Sequence, residues 1–205
     1  HIITAPNSYW QNIRKCVEQI GSNVYDVIFS AWASSLAVLT DTENELGVTL
    51  LDIGSGTTGI AIFQEGSIVY SGCIPLGGSS ITSDIAIGLQ VSLEEAEKIK
   101  VNMNKLFDSK YDGSKPKEIK NIPTILRKAE PEKPKKKKEE ELDLNAIGID
   151  KVVSKNMLEK IVGARCEEIF QMVKENISKA GYDIAMPAGV VLTGGTSLLR
   201  DITKF

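Results

Sequence analysis

The sequence predicts an α/β fold built on a mixed sheet, and three observations carry that prediction. Strand-like and helix-like runs alternate through residues 1–46. From Gly47 three short apolar runs follow one another with only tight turns between them, as antiparallel strands do. Glycine pairs then stand where strands give way to helices, at Gly77-Gly78 and Gly194-Gly195.

In order, His1 to Thr4 reads as a short strand and Ser8 to Ile20 as an amphipathic helix. Asn7 and Ser8 favour a helix start and Gly21 a stop. A strand over Val24 to Phe29 and a helix over Ala31 to Leu39 complete a strand–helix–strand unit, whose strands should be parallel and buried. GVTLLDIG, TGIAIFQ and SIVYSGCIPLGG are the three antiparallel strands, with Glu65-Gly66 at a hairpin turn. A helix over Ser79 to Ile87 follows, and another starts at Ser92, where Glu95 completes a capping box, and runs to Phe107.

From Asp108 to about 150 the periodicity is lost. The stretch RKAEPEKPKKKKEEEL carries prolines, a lysine run and a glutamate run with almost nothing apolar, so it should be mobile. The glutamates nearly cancel Lys135 to Lys138, which makes a solvated loop the simpler reading than an anion-binding arm. From Val152 a long helix resumes with Ile161, Ala164, Ile169, Val173 and Ile177 at helical spacing. A turn at Gly181, the strand GVVLT and a last helix end the chain.

Composition narrows the function. With 24 basic and 27 acidic side chains the net charge is −3, no footprint for nucleic acid. Cys16, Cys73 and Cys166 are odd in number and lack a CxxC spacing, which argues against a disulfide framework or structural zinc and for a reducing cytosol. The longest apolar stretch, Val24 to Leu39, is interrupted by Asp26 and serines and falls short of the ~20 residues of a spanning helix. Both ends read as interior to a longer polypeptide: His1 opens directly into an apolar run, and the last helix stops after about two turns.

The strongest local signal is Asp52-Ile53-Gly54-Ser55-Gly56-Thr57-Thr58, set between two strands. Glycines there leave successive backbone N–H groups unobstructed, the geometry of an anion nest, and the hydroxyls of Ser55, Thr57 and Thr58 could add hydrogen bonds. Asp52 could orient a hydrated Mg2+. The loop lacks the lysine of a P-loop and the following helix of a dinucleotide fingerprint. A plain tight hairpin remains the alternative. Gly194, Gly195 and Thr196 end a strand and open a helix, so they either admit an anion at its N-terminus or make an ordinary turn. Gly77 and Gly78 carry the same ambiguity. Glu97 and Lys100, three apart on a helix, clasp a nucleoside or form a solvent-facing ion pair.

Taken together and in order, DIGSGTTGIAIF, IPLGGSSITSDIAIGL, SLEEAEKIK and GVVLTGGTSLL resemble the actin-like ATPase superfamily and, within it, the FtsA family of bacterial cell-division proteins. The resemblance covers residues 1–106 and 152–205 and implies an actin-like (ribonuclease H-like) fold with a smaller α+β subdomain. It assigns 1–46 to the end of a first actin-like domain, 47–82 and 186–205 to a second, and 83–185 to the smaller subdomain. It implies ATP with Mg2+ as ligands, the Asp52 to Thr58 loop as a phosphate loop, 194–196 as an adenosine motif, and Glu97 and Lys100 at the adenosine. It further implies self-association into filaments, binding of the FtsZ C-terminal tail near Arg165, and peripheral attachment to the inner face of the cell membrane at the division site through a segment not in this chain. Arg165 is otherwise an exposed helix arginine.

The resemblance has gaps. A first phosphate loop and a membrane helix, expected upstream and downstream, are not in this sequence. Where the family reads EP before the small-residue helix and an acid after TT, Ser30-Ala31 and Gly59 stand. Losing a carboxylate that positions water or metal costs orders of magnitude in rate, so the expectation is nucleotide binding with slow or absent hydrolysis. The alternatives are an active ATPase or kinase on the same fold, and a scaffold of the PilM or MreB type.

Overall fold

The computed structural model describes residues 3, 4, 6–107, 140–182 and 186–204. Its centre is a four-stranded mixed sheet: β1 (Val48–Ile53), β2 (Thr58–Gln64), β3 (Ser67–Ile74) and, far along the chain, β6 (Val190–Thr193), in the order β3-β2-β1-β6. β1, β2 and β3 are antiparallel neighbours and β6 runs parallel to β1, with Asp52 opposite both Gly59 and Thr193. The β2–β3 hairpin turns at Glu65 and Gly66, both at positive φ (50° and 70°). That is the backbone a two-residue turn of matching twist requires.

Alternation sorts the side chains onto two faces. Leu51, Ile53, Ile60 and Ile62 join the main core, while Val48, Leu50, Ala61 and Phe63 form a second cluster on the other face with Ala31. The second face is covered by α2 (Ser30–Val38), which follows α1 (Asn7–Gln19). A third helix, α3 (Asp41–Leu46), leads into β1 and is capped by Thr40 and Glu43 in a reciprocal T-x-x-E box. On the main face lie α4 (Gly78–Leu89), α5 (Leu93–Val101), α6 (Met103–Phe107) and the long α7 (Lys155–Lys179). Ser92 and Glu95 cap α5 as expected.

Several expectations are corrected. Residues 24–29 form no strand, nor do Ile3 and Thr4, whereas His1 and Ile2 lie outside the described residues. A strand exists only as part of a ladder, and 24–29 meet no partner strand among the described residues; Tyr25 is 95% exposed. The parallel pair of the fold is therefore β1 with β6, not a unit within 1–46. The helix to Phe107 breaks at Asn102, whose Nδ2 donates to the Lys98 carbonyl at 2.8 Å.

Residues 140–150, expected to be mobile, are structured; the rest of that stretch, 108–139, lies outside the described residues. β4 (Glu141–Asp143) pairs with β5 (Val152–Ser154), and Leu144 and Ile149 are buried between them and the helices. In α7 the buried stripe is Leu158, Val162, Cys166, Ile169, Val173 and Ile177, while Ala164 is exposed. The segment after β6 makes two 3-10 turns, Gly195–Leu198 and Ile202–Lys204, rather than an α-helix.

Burial in that stripe, reinforced by neighbouring Glu167, pushes the Cys166 thiol up to about 11, while Cys16 and Cys73 are exposed. A raised thiol pKa stabilises the fold below the ordinary value of 9.0 and loses that contribution as pH climbs towards about 11. At pH 8 a thiol reagent should therefore modify Cys16 and Cys73 in the native protein and Cys166 only in denaturant. Rapid native labelling of Cys166 would contradict this packing.

Candidate functional site

The glycine loop between β1 and β2 closes on itself through the Gly54 N–H, which donates to the Thr57 carbonyl at 2.9 Å. Its other face is gripped by two distant segments. The Gly54 carbonyl accepts from the Gly78 N–H (2.9 Å) and from Thr196 Oγ1 (2.9 Å). The Ser55 carbonyl accepts from the Ser79 N–H (2.7 Å) and Ser79 Oγ (2.8 Å). The turn from β1 to β2, the start of α4 and the segment after β6 thus converge on one place.

Glycine is what permits this approach. A Cβ on Gly77 would stand 2.6 Å from the carbonyl oxygens of both Gly54 and Ser55, and one on Gly78 would stand 2.5 Å from Thr196 Oγ1. A Cβ on Gly194 would meet Asp52 Oδ1 and the Ile53 carbonyl, each at 2.6 Å, and Gly194 sits at φ 85°. Gly56 and Gly195 differ: around a Cβ at either position there is nothing within 4 Å. Three glycines are packed too closely for a side chain, and two front open space.

Some expected roles change on this geometry. The first α4 amides are engaged by loop carbonyls, so Gly77 and Gly78 hold the loop instead of offering free donors. Thr58 is buried and its hydroxyl donates to the Leu76 carbonyl at 2.9 Å, whereas Ser55, Gly56 and Thr57 are exposed. The 3-10 turn Gly195–Leu198 is too short for a sizeable helix dipole.

Glu97 and Lys100 pair at 2.7 Å, with the Lys100 side chain 12% and the Glu97 side chain 50% exposed, so one end of the bridge is covered and the other meets solvent. Lys100 Nζ donates to the Gly78 carbonyl (3.0 Å) and to Thr82 Oγ1 (2.8 Å), and Thr82 donates to Glu97 Oε2 (2.5 Å). α5 is thereby bolted to the first turn of α4. Burial works to raise the Glu97 carboxyl, yet hydrogen bonds from Lys100 and Thr82 and the ammonium charge together hold it below its ordinary value. An open hollow of about 600 Å³ lies beside this group, lined by Ser79, Thr82, Ser83, Leu93, Glu94 and Glu97 among others.

Asp52 is half-buried at the loop's root, where Ser34 Oγ of α2 donates to its Oδ2 at 2.8 Å. Among the described residues no three His, Cys, Asp or Glu side chains cluster as a metal cage. One carboxylate suits a magnesium ion that keeps its waters and arrives on phosphate oxygens, so the donor set fits a nucleotide-borne Mg2+ and not a resident metal. Gly59, where the resemblance expects an acid, lies against α2: a Cβ there would be 3.2 Å from Ala31 Cβ.

Arg165 is occupied. Nε and Nη2 grip Asp84 of α4 at 2.5 and 2.9 Å, and Nη1 reaches Glu168 at 2.5 Å. The hydrogen bond to Asp84 raises the guanidinium further above its ordinary range. Ser34, Ser79 and Thr82 carry no motif of their own and escape the sequence reading; only their partners' glycines and carboxylates point to them.

The family model described as "Cell division protein FtsA" matches residues 49–205. The chain belongs to the FtsA family. It is 36% identical over 200 residues to the cell-division protein FtsA of Pseudomonas aeruginosa, covering 98% of this chain and 42% of that protein. With FtsA of Bacillus subtilis it shares 34% over 203 residues, covering 98% and 40%. The chain thus spans about two-fifths of the length of the curated relatives it matches.

Among solved structures it is similar to MreB5 of Spiroplasma citri bound to ADP, with TM-score 0.64 and 21% identity, covering 98% of this chain and 57% of that one. The PilM–PilN type IV pilus biogenesis complex gives TM-score 0.54 at 16% identity, covering 88% and 38%. The expected actin-like α/β fold is met. No described helix is long and apolar enough to cross a membrane.

Two measurements follow from the site. Gly77→Ala forces a methyl group against two backbone carbonyls and should lower unfolding stability by about 1–3 kcal/mol, as overpacking does, whereas Gly56→Ala should stay within about 0.5 kcal/mol of the parent. Equal losses in paired denaturant titrations would refute the division of the glycines. A depressed Glu97 pKa stabilises the fold above the ordinary value of 4.5 and loses that contribution as pH falls through the folded value. Glu97→Gln should therefore flatten the stability profile below about pH 4.5, read as Tm against pH.

Proposed function

We propose that this chain is the nucleotide-facing half of an actin-like cell-division scaffold, which binds ATP with Mg2+, self-associates into filaments and links FtsZ polymers to the membrane. The observation that carries the nucleotide reading is the Gly54 carbonyl, which accepts two hydrogen bonds and draws three glycine turns to one junction. In this reading Gly54, Ser55, Gly56 and Thr57 line the phosphate side, and Gly194, Gly195 and Thr196 face them. Glu97 and Lys100 border the nucleoside in the hollow between α4 and α5, with Gly77 and Gly78 behind the loop and Thr58 bracing it. Asp52 orients the magnesium-bound water shell. Two MreB5 structures of similar fold, one bound to ADP and one to AMPPNP, support the ligand class.

Family membership supports the division role, with the FtsZ tail docking on the α4–α7 surface near Arg165 and the protein acting at the cytoplasmic face of the membrane. Residues 47–82 and 186–205 are then the second actin-like core, 83–185 its smaller subdomain, and 1–46 the end of the first domain. Nucleotide works chiefly as a structural ligand: binding energy realised in one conformation shifts the population towards it without any chemistry.

Hydrolysis is slow or absent in this reading, because Gly59 brings no carboxylate and Ala31 fills the space beside it. Calorimetric titration of the full-length protein with ATP and Mg2+ should show binding that Asp52→Ala weakens at least tenfold, with phosphate release near the buffer rate. Absence of binding by the parent protein refutes the nucleotide reading; fast phosphate release refutes the non-hydrolytic one.

A further inference from the structure

Two adjacent serines of α2 behave differently. Ser35 Oγ turns back on its own helix and donates to the Trp32 carbonyl at 2.6 Å, the usual fate of a helical serine. Ser34 Oγ instead leaves its helix and donates to Asp52 Oδ2 at 2.8 Å, across 18 residues of chain. The helix is seated for this by Ala31, fully buried against β2 at Gly59. The second Asp52 oxygen, Oδ1, lies against Gly194, at a place where any side chain on residue 194 would collide with it. One oxygen of the carboxylate is thus fixed from α2, and the other lies beside Gly194, at the start of the turn that continues into Gly195 and Thr196.

We propose that Ser34 is a positioning residue for Asp52, setting the carboxylate rotamer in which Oδ1 faces the water shell of a phosphate-bound Mg2+. This rests on the nucleotide reading above and adds to it a residue on a different helix. A carboxylate free at both oxygens rotates about its side-chain torsions, and each rotamer lost on metal binding weakens that binding. A hydroxyl donor at Oδ2 removes that freedom beforehand and leaves the negative charge in place, since Ser34 donates a hydrogen bond and transfers no proton. The same bond makes the metal affinity depend on where α2 sits.

The test is equilibrium binding of AMPPNP to the full-length protein across a Mg2+ titration and in EDTA, with thermal melts of each variant as controls. Ser34→Ala should raise the Mg2+ midpoint roughly tenfold, the equivalent of one hydrogen bond to a charged group, while nucleotide affinity in EDTA stays at the parent value. Ser34→Thr, which keeps the hydroxyl, should restore the parent midpoint, and Asp52→Asn should shift it at least as far as Ser34→Ala. A parent midpoint in Ser34→Ala beside a shifted Asp52→Asn overturns the positioning role alone. An equal loss with and without Mg2+ in Ser34→Ala overturns it too, by reporting general damage to the cleft. A parent protein that binds no AMPPNP under either condition overturns the nucleotide reading and this proposal with it.

Discussion

A single carbonyl group organises this molecule. The oxygen of Gly54 accepts one hydrogen bond from the start of α4 and another from Thr196, 142 residues further along the chain. A carbonyl has two lone pairs, and here both are taken by segments that approach from different sides. The neighbouring Ser55 carbonyl likewise accepts two hydrogen bonds, both donated by Ser79. Because these bonds run backbone to backbone at three of the four contacts with α4 and the loop's own closure, side-chain chemistry matters less than the absence of side chains. Gly77 and Gly194 are glycines because oxygen atoms already occupy the volume a methyl group would need.

Everything near the junction inherits its position from that grip. α4 is anchored at its first turn, and Lys100 then ties α5 to the same turn through the Gly78 carbonyl. α4 also carries Asp84, which holds Arg165 and so α7. A chain of polar contacts therefore runs from the loop outward through α4 to the two helices that pack on it. The main core, with Ile81, Ile85, Ile99 and Ile169, fills the space between. On the opposite face Ala31 and Ser34 seat α2 directly under the loop's root.

Much of this architecture was legible in the sequence, and the reasons for the failures are physical. The β2–β3 hairpin was readable because two short apolar runs are joined by Glu65-Gly66, which supplies the positive φ of a tight turn. The α5 start was readable because Ser92 and Glu95 satisfy each other locally. Residues 24–29 have strand composition but no ladder, and composition alone does not report whether a partner strand is present. β4 and β5 were hidden because three-residue strands are too short to show a period, and Glu141 and Asp143 disguise the buried Leu142 between them. The glycine turns could be found as candidates. Their division into packed and open positions could not, because it depends on contacts such as Gly78 with Thr196 that no local pattern encodes.

The two departures from the family pattern lie far apart in sequence and touch in space. The resemblance expects a proline at 31 and an acid at 59; here Ala31 Cβ lies 3.2 Å from where a Cβ on Gly59 would stand. Such a separation is tighter than ordinary carbon–carbon contact, so a side chain at 59 asks α2 to give by a few tenths of an ångström, and α2 is the helix that carries Ser34 to Asp52. The glycine at 59, the small residue at 31 and the serine at 34 are thus one solution to one packing problem. It brings α2 close enough for its hydroxyl to reach the loop carboxylate.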